Sequence, residues 1–243
     1  KGICIRKYNM GVGWSHDIII RYVRVRPGNI AGVTLDGMGL AGTDHSIIDH
    51  CSISWTQDEG FSSRGAKNIT FQRNLISEAL NIAGHKKYEK GKQHGYAASI
   101  GGDIGSFHHN LLAHCAGRNW SLAGGLDKAG RHTGRLDIRN NVVYNWGHRT
   151  TDGGVMQLNF VNNYYKPGPA SDVFHVLMVE RHLVPAFGPQ EYYVAGNVME
   201  GHYGPSKPLA GVRGQRNEPI KEFVVRRPFF DSHVTTQSAK KAY

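Results

Sequence analysis

The sequence predicts an all-β solenoid, in which one short strand-and-turn unit recurs along the chain. Three observations favour this fold class: strand-like runs separated by turn residues, an asparagine that recurs at the same place in successive runs, and 31 glycines among 243 residues. Runs bounded by Gly, Asn, Asp or Pro are typical of β-strands. A repeat every roughly 20–50 residues is the signature of a repeat architecture.

The strand-like runs follow one another with few helical stretches between them. β-branched and aromatic residues dominate each run, with polar residues among the apolar ones. They are "IIIRYVRVR" (18–26), "SIIDHCSISW" (46–55), "NITFQRNLIS" (68–77), "SFHHNLLAH" (106–114), "RLDIRNNVVYNW" (135–146), "LNFVNNYYKPG" (158–168) and "YYVAGNVMEG" (192–201).

An asparagine followed by two large residues gives the repeat its register. The spacing predicts a unit of about 22 residues with insertions in some copies, and Cys51 takes the same place one unit before the first asparagine. The LxxLxLxxN pattern of leucine-rich repeats is absent. Asn hydrogen-bonds its neighbours and tolerates left-handed backbone, so we interpret these residues, and His109 beside them, as a structural ladder at one corner. The asparagines are Asn74, Asn110, Asn141, Asn163 and Asn197.

Charge and cysteine content narrow the function classes. The formal net charge is +10, which suggests a polyanionic partner such as nucleic acid, an anionic membrane surface or an acidic polysaccharide. No helix-turn-helix, RNP or zinc-finger pattern occurs, and no run approaches the roughly 20 apolar residues of a membrane span, so we expect neither a nucleic-acid nor a membrane partner. Cys4, Cys51 and Cys115 have no disulfide or metal spacing. We interpret Cys51 and Cys115 as small buried hydrophobes.

Two long insertions are candidates for the functional face. They span residues 78–102, rich in lysine and histidine, and residues 117–133, which hold Arg118 and Arg131. Both follow neighbouring strands, so we expect them on one side of the solenoid as a basic wall. Asp36, Asp58 and Glu59 lie on earlier coils, where they could converge on a hard cation such as calcium. The histidines show no HxxxH or HExxH spacing, so we expect no histidine metal site.

Several of these stretches together resemble the pectate lyase family of polysaccharide lyases. The resemblance rests on "DHCSISWTQDEGFSSRGAKNITFQRNLIS", "SFHHNLLAHCAGRNWSLAGG", "RLDIRNNVVYNW" and "NFVNNYYKPGPAS", and it covers residues 18–168 well. It implies a right-handed parallel β-helix and calcium-assisted β-elimination of polygalacturonate. It also implies one domain over residues 1–243, lacking the family's N-terminal cap and first coils, with residues 205–243 as an irregular segment packed on the helix.

The resemblance assigns the catalytic base to Arg118, which follows the His-His-Asn strand as the family's base arginine does. Arginine normally stays protonated, so neighbouring positive charge and calcium would have to favour its neutral form. Lys87 and His94 are the alternative bases. A second family arginine, five residues beyond the base, is replaced here by Ala123. A fixed cation that binds a substrate carboxylate is the other interpretation of Arg118.

The resemblance also implies a calcium site and substrate contacts. Asp36 matches one calcium ligand, and Glu59 with Asp58 beside it matches another. Ser62 and Ser63 stand where the family often has a further acid, so we expect an altered or weaker site. The predicted substrate-binding residues are Arg64, Lys87, His94, Asn119 and Trp120. A tryptophan such as Trp120 more often packs in a core than against a sugar.

The resulting hypothesis is a pectate lyase with Ca²⁺ as cofactor and an acidic polysaccharide as partner. We expect a secreted or periplasmic protein, although this chain carries no signal peptide, and a monomer, with association through an uncapped end as the alternative. Other functions stay open: a non-catalytic acidic-glycan-binding solenoid, and a lyase for another uronate or for methylated pectin. A nucleic-acid binder, which the charge suggests, is disfavoured because no nucleic-acid-binding motif occurs. A galacturonan hydrolase needs paired acids, whereas the adjacent Asp58 and Glu59 would point apart on a strand.

Overall fold

The chain winds into a parallel β-helix in which each coil adds one strand to each of three sheets. The structure, a computed structural model, describes residues 2–32, 34–86, 92–181 and 184–243. Each sheet has eight strands, and the named strands within it pair in parallel. The predicted right-handed parallel β-helix is therefore confirmed.

The eight coils carry three strands each. In chain order they are β1 (Cys4–Arg6), β2 (Met10–Gly11), β3 (His16–Arg21); β4 (Arg24–Arg26), β5 (Met38–Gly39), β6 (Asp44–Asp49); β7 (Ser52–Ser54), β8 (Phe61–Ser62), β9 (Lys67–Gln72); β10 (Leu75–Ser77), β11 (Ala98–Gly101), β12 (Asp103–His108); β13 (Leu111–Ala113), β14 (Ser121–Ala123), β15 (Arg135–Arg139); β16 (Val142–Tyr144), β17 (Thr151–Gly154), β18 (Gln157–Val161); β19 (Tyr164–Lys166), β20 (Leu177–Val179), β21 (Glu191–Ala195); β22 (Val198–Met199), β23 (Val212–Gly214) and β24 (Val224–Val225).

The first, second and third strands of the coils form sheets 1, 2 and 3, respectively. In the part of the chain that the structure describes, helical segments are short: two 3-10 turns and two single-turn helices, at Asn29–Ala31, Ile220–Glu222, Val184–Phe187 and Ala239–Ala242. Within the described residues, no helix has the length and apolar character that crossing a membrane requires.

Stacks of inward-facing side chains fill the interior. In sheet 3, five successive strands carry an apolar and fully buried residue at the same aligned position. On each strand the neighbouring residues face outward, as the two-residue period of a strand requires. Each rung therefore packs on the one before it, so burial is shared between neighbouring coils. The stack comprises Ile48, Phe71, Phe107, Ile138 and Phe160.

The predicted asparagine ladder is present at the corner between sheets 3 and 1. The Asn110 side chain donates to the Phe71 carbonyl at 2.9 Å and to Asn141 Oδ1 at 2.9 Å, and its own Oδ1 accepts the Asn74 backbone N–H at 2.9 Å. The pattern repeats at Asn163, whose backbone N–H donates to Asn197 Oδ1 at 2.9 Å. Each ladder side chain thus satisfies backbone groups that the turn would leave buried and unpaired.

The left-handed backbone at this corner belongs to the residue before each ladder position. The φ angle is +51° at Arg73, +56° at His109, +52° at Asn140 and +53° at Asn162. His109 is therefore part of the corner, as expected.

The two insertions leave the helix at different places, which corrects the expectation of one wall. The first lies between β10 and β11, so it leads into sheet 2. Residues 117–120, which include Arg118, lie in the turn that leads into β14, but residues 124–133 follow β14 at the far edge of sheet 2. There Arg131 pairs with Asp127 at 2.8 Å.

The C-terminal segment runs back over the asparagine corner. The Gln237 carbonyl accepts from Asn140 Nδ2 and from Asn162 Nδ2, each at 2.8 Å. The Tyr243 ring stacks on Tyr164 with centroids 4.7 Å apart. Residues 205–243 also contribute β23 and β24 to the sheets, so the segment is not irregular throughout. All three cysteines are free, with Cys51 and Cys115 buried as predicted.

Candidate functional site

The candidate site is a row of turns, each leading into a strand of sheet 2. Asp36 precedes β5, Glu59 precedes β8, Tyr96 precedes β11, Arg118 precedes β14 and Arg149 precedes β17, each by two or three residues. Backbone hydrogen bonds stack the turns: Gly37 N–H to the Glu59 carbonyl at 2.8 Å, Gly60 N–H to the Tyr96 carbonyl at 3.1 Å, and Ala98 N–H to the Arg118 carbonyl at 3.0 Å. Adjacent strands lie about 4.8 Å apart, so these side chains meet although they are distant in sequence.

Glycine is needed in this row where the turns stack closely. A Cβ at position 60 would lie 2.6 Å from Ile76 Cγ2 and 2.8 Å from the Ala97 carbonyl oxygen. Gly60 therefore lets the turn that bears Glu59 lie directly against the turn of the next coil.

A polar cleft of about 260 Å³ opens along the row. It brings together six residues that the sequence proposed for the site, together with a serine and a second histidine. The lining residues are Asp36, Asp58, Glu59, Ser62, Arg64, His85, His94 and Arg118.

Arg118 and Glu59 form an ion pair across two coils. The Arg118 Nη1 atom contacts Glu59 Oε1, and the Ser99 hydroxyl donates to the same oxygen at 2.9 Å. Arg64 and Arg118 each approach Ser99 Oγ at 3.4 Å. Arg118 therefore has an acidic partner, which lies 59 residues earlier in sequence and two coils away along the row.

The guanidinium of Arg118 also lies over an aromatic face. Its Cζ is 4.5 Å from the centre of the Tyr96 ring, and Arg149 Cζ is 5.4 Å from the same ring. Burial lowers the pKa of Arg118 from its ordinary value, and the charge of Arg149 lowers it further, against the opposing carboxylates of Asp58 and Asp152. Arg149 itself is held by Asp152 at 2.6 and 2.7 Å.

Asp58 lies between two histidines. His94 Nε2 is 2.6 Å from Oδ1, and His85 Nε2 is 3.2 Å from Oδ2. Burial alone would raise the pKa of Asp58, but the hydrogen bonds from His94 and His85 outweigh it and bring that pKa down to about 2. The carboxylate is therefore ionised at neutral pH.

Two predicted substrate contacts are not in the cleft. Trp120 is fully buried and packs edge-on against Phe71, with ring centroids 6.1 Å apart. The Asn119 side chain is also buried and donates to the carbonyls of Cys115 and Arg149 at 3.2 and 3.1 Å. Both side chains stabilise the turn that carries Arg118, which corrects their assignment to substrate binding. Lys87 lies outside the described residues.

The sequence reasoning missed three residues of this region, Tyr96, Ser99 and Arg149, and also the pairing of His85 with Asp58. A positional signal was available for two of them. Tyr96 lies two residues before "ASIG" and Arg149 two before "TDGG", just as Glu59 lies two before "FS". Counting back from each sheet 2 strand would have brought these side chains into one row.

The acidic part of the cleft suits calcium by donor chemistry. Asp36, Asp58 and Glu59 each offer a carboxylate oxygen, and these atoms lie within 4.8 Å of one another. Calcium binds about 6–8 oxygens, which carboxylates, carbonyls, water and a substrate carboxylate can supply together. Ser62 lines the same cleft with a hydroxyl, and Ser63 is buried with its Oγ 3.3 Å from the Gly101 N–H. The three acids are therefore the residues that would hold the ion.

Comparison with known proteins identifies relatives that share one name. No family model matches the chain. Curated proteins named probable pectate lyase C match the chain. That of Neosartorya fischeri is 33% identical over 174 residues, covering 67% of this chain and 36% of the relative. That of Aspergillus terreus is 30% identical over 207 residues, covering 81% and 42%. That of Emericella nidulans is 34% identical over 173 residues, covering 67% and 35%.

The chain belongs to the pectate lyase family. This follows from identity of 30 to 34% sustained over two thirds or more of its length. The matched regions span less than half the length of these relatives. The resemblance seen in the sequence motifs is thus confirmed at the level of the family.

Proposed function

We propose that this pectate lyase family chain cleaves polygalacturonate by β-elimination, with Arg118 as the base and Ca²⁺ as cofactor. The observation that carries the proposal is the cleft itself. It sets a partly buried arginine with a lowered pKa beside three carboxylates suited to calcium. Family membership supports the reaction class, and the net charge of +10 supports an acidic polysaccharide as substrate.

The reaction removes the C5 proton of a uronate and breaks the C4–O bond. The electron pair of the C5–H bond becomes the C4=C5 double bond, and the departing oxygen takes a proton. Calcium, when bound, would withdraw charge from the substrate carboxylate and so acidify the C5 proton. The chain supplies Arg64 and Arg118 as donors to carboxylates and Asp36, Asp58 and Glu59 as ligands.

Arg118 acts as a base only when its guanidine is neutral. Its burial and the neighbouring charge of Arg149 both favour that form, whereas contact with Glu59 favours the charged form. Withdrawal of Glu59 from Arg118 would therefore free the guanidine for C5 and lower its pKa further. The Tyr96 ring would keep the group in place while this happens.

One observation favours a second candidate, an acidic-glycan-binding solenoid without catalysis. In the arrangement described, Arg118 is engaged by Glu59 and presents a cation, which suits carboxylate binding as well as proton transfer. Secretion or a periplasmic location and a monomeric state remain predictions.

The deciding experiment is the ultraviolet absorbance of unsaturated product from polygalacturonate, with and without a calcium chelator. We expect absorbance to rise with calcium and to stop on chelation. Alginate and highly methylated pectin in parallel would distinguish the other uronates. Binding of polygalacturonate without unsaturated product would instead establish the binding module, and chelator-independent product would remove calcium from the mechanism.

A further inference from the structure

We propose that Asp58, His85 and His94 form a second cation site, for a divalent d-block ion such as zinc, cobalt or nickel. This site shares Asp58 with the acidic trio but is otherwise distinct from it. Within the described residues, these three side chains are one of the two groups whose ligand atoms lie within 4.8 Å of one another. Sequence spacing predicted no histidine metal site, because His85 and His94 are nine residues apart and lack a familiar metal spacing.

Both imidazoles present the same ring atom to one carboxylate. His94 Nε2 faces Oδ1 of Asp58 and His85 Nε2 faces Oδ2, at 2.6 and 3.2 Å. The two rings lie 4.6 Å apart between centroids. The histidine side chains are only 2% and 6% exposed, and that of Asp58 is 18% exposed. An ion here would therefore be largely shielded from water.

The separations suit a small ion after a modest adjustment. Zinc binds imidazole nitrogen and carboxylate oxygen at about 2.0–2.2 Å, which in a tetrahedron puts neighbouring ligand atoms about 3.4 Å apart. The distance from His85 Nε2 to the Asp58 carboxylate is already close to that value. The distance from His94 Nε2 to the same carboxylate has to lengthen by about 0.8 Å.

Neighbouring contacts orient the ring of His94. The His94 backbone N–H donates to the Asn81 carbonyl at 2.9 Å, and the next residue, Gly95, donates to Asn81 Oδ1 at 3.1 Å. The His94 ring also lies against Tyr96, with centroids 4.2 Å apart. These contacts keep the imidazole directed at Asp58, as outer contacts do for metal-binding histidines.

Ligand chemistry separates the two sites. Imidazole nitrogen suits zinc, nickel and cobalt, whereas an all-carboxylate set suits calcium. Because Asp58 belongs to both groups, the two ions should compete for the protein. This last point rests on the proposed calcium site, whereas binding of the d-block ion itself does not.

The test uses Co²⁺ as a spectroscopic probe on the whole chain after removal of metals by dialysis against chelator. We expect visible d–d absorption that saturates at one ion per chain, and His85→Gln and His94→Gln to weaken binding at least tenfold each. The matched control is His108→Gln, which disrupts another close histidine pair, His108 with His109 at 2.9 Å, and should leave binding unchanged.

A second measurement keeps the test valid if a variant folds poorly. Co²⁺ or Zn²⁺ should raise the melting temperature of the unmodified chain, since an ion that binds only the folded state stabilises it. Calcium in excess should weaken the Co²⁺ signal. Absence of d–d bands, or bands that survive in both His85→Gln and His94→Gln, would overturn the site. Neither result would bear on whether unsaturated product forms from polygalacturonate. Binding that calcium does not weaken would overturn only the competition.

Discussion

Two rows of turn residues run the length of this β-helix, and they differ in what occupies successive rungs. At the corner between sheets 3 and 1, the same amide recurs, and each copy bonds to the next, as Asn110 does to Asn141. In the turns before sheet 2, each rung carries a different polar residue: Asp36, Glu59, Tyr96, then Arg118. Repetition of one residue at the corner builds a ladder whose amides satisfy one another's hydrogen bonds. A different residue in each turn before sheet 2 brings unlike polar groups together, as chemistry requires.

The contrast extends to how each row satisfies its polar groups. The ladder side chains bond to backbone that is fixed by the fold, such as the Phe71 carbonyl beneath Asn110. In the sheet 2 row, charged side chains bond mainly to one another, as Arg118 does to Glu59. Such pairs can exchange partners when a ligand arrives, which a backbone-bound amide cannot.

The largest effect should come from Arg118→Lys. Lysine keeps a positive charge but loses the planar guanidine, so turnover should fall by about 10²–10⁴-fold while polygalacturonate still binds. Initial rates of unsaturated product, with binding measured by calorimetry, test this. Arg131→Lys is the matched control, because Arg131 pairs with Asp127 outside the cleft.

Three outcomes for Arg118→Lys have separate meanings. Near-normal turnover would show that Arg118 is not the base and would make His94 the next residue to test. Equal loss of binding and turnover would make Arg118 a substrate clamp. Loss of turnover alone supports the proposed role.

The ladder should respond to substitution through stability. Asn110→Ala leaves the Asn74 N–H and the Phe71 carbonyl without their buried partner, so the free energy of unfolding should fall by about 2–4 kcal/mol. Urea unfolding followed by circular dichroism measures it, with the exposed Asn9→Ala as control. A loss no larger than that of the control would mean that the ladder is dispensable.

The sequence predicted the ladder row far better than the sheet 2 row, and the reason is physical. A ladder needs the same residue at every coil, so its members are visible as a repeat along the chain. The site needs unlike residues whose contacts cross coils, and the sequence separation of 59 positions between Glu59 and Arg118 conceals their pairing. The sequence also did not show which side chains of a turn face the core and which face the cleft. Trp120 is two residues from Arg118, yet it faces the core while Arg118 reaches the cleft.

A smaller change should follow from Glu59→Gln. The amide keeps the shape of the side chain but removes a charge from both the calcium trio and the contact with Arg118. The calcium concentration that gives half-maximal activity should rise about tenfold, which corresponds to about 1.4 kcal/mol of lost binding free energy. Calcium titration of the free protein and of the lyase reaction should agree. Glu191→Gln, in an exposed pair with Gln157, should change neither.

The smallest effect concerns a titrating group on the outer face of sheet 3, close to the ladder corner. Burial lowers the pKa of His108 to about 4, and the charges of His109, Arg73 and Arg139 contribute in the same direction. The unfolded chain, with an ordinary histidine pKa of about 6.5, therefore binds a proton that the folded chain does not between these values. Stability should fall as pH drops from about 6.5 towards 4, and no further below that through this group.

His108→Gln should remove that part of the pH dependence. Glutamine does not titrate, and Gln72 already occupies the aligned position on the neighbouring strand, so the side chain suits this face. Urea unfolding at pH 7 and at pH 5.5 should show a decline smaller by about 1 kcal/mol in the variant than in the unmodified chain. An identical decline in both proteins would show that groups other than His108 cause the acid sensitivity.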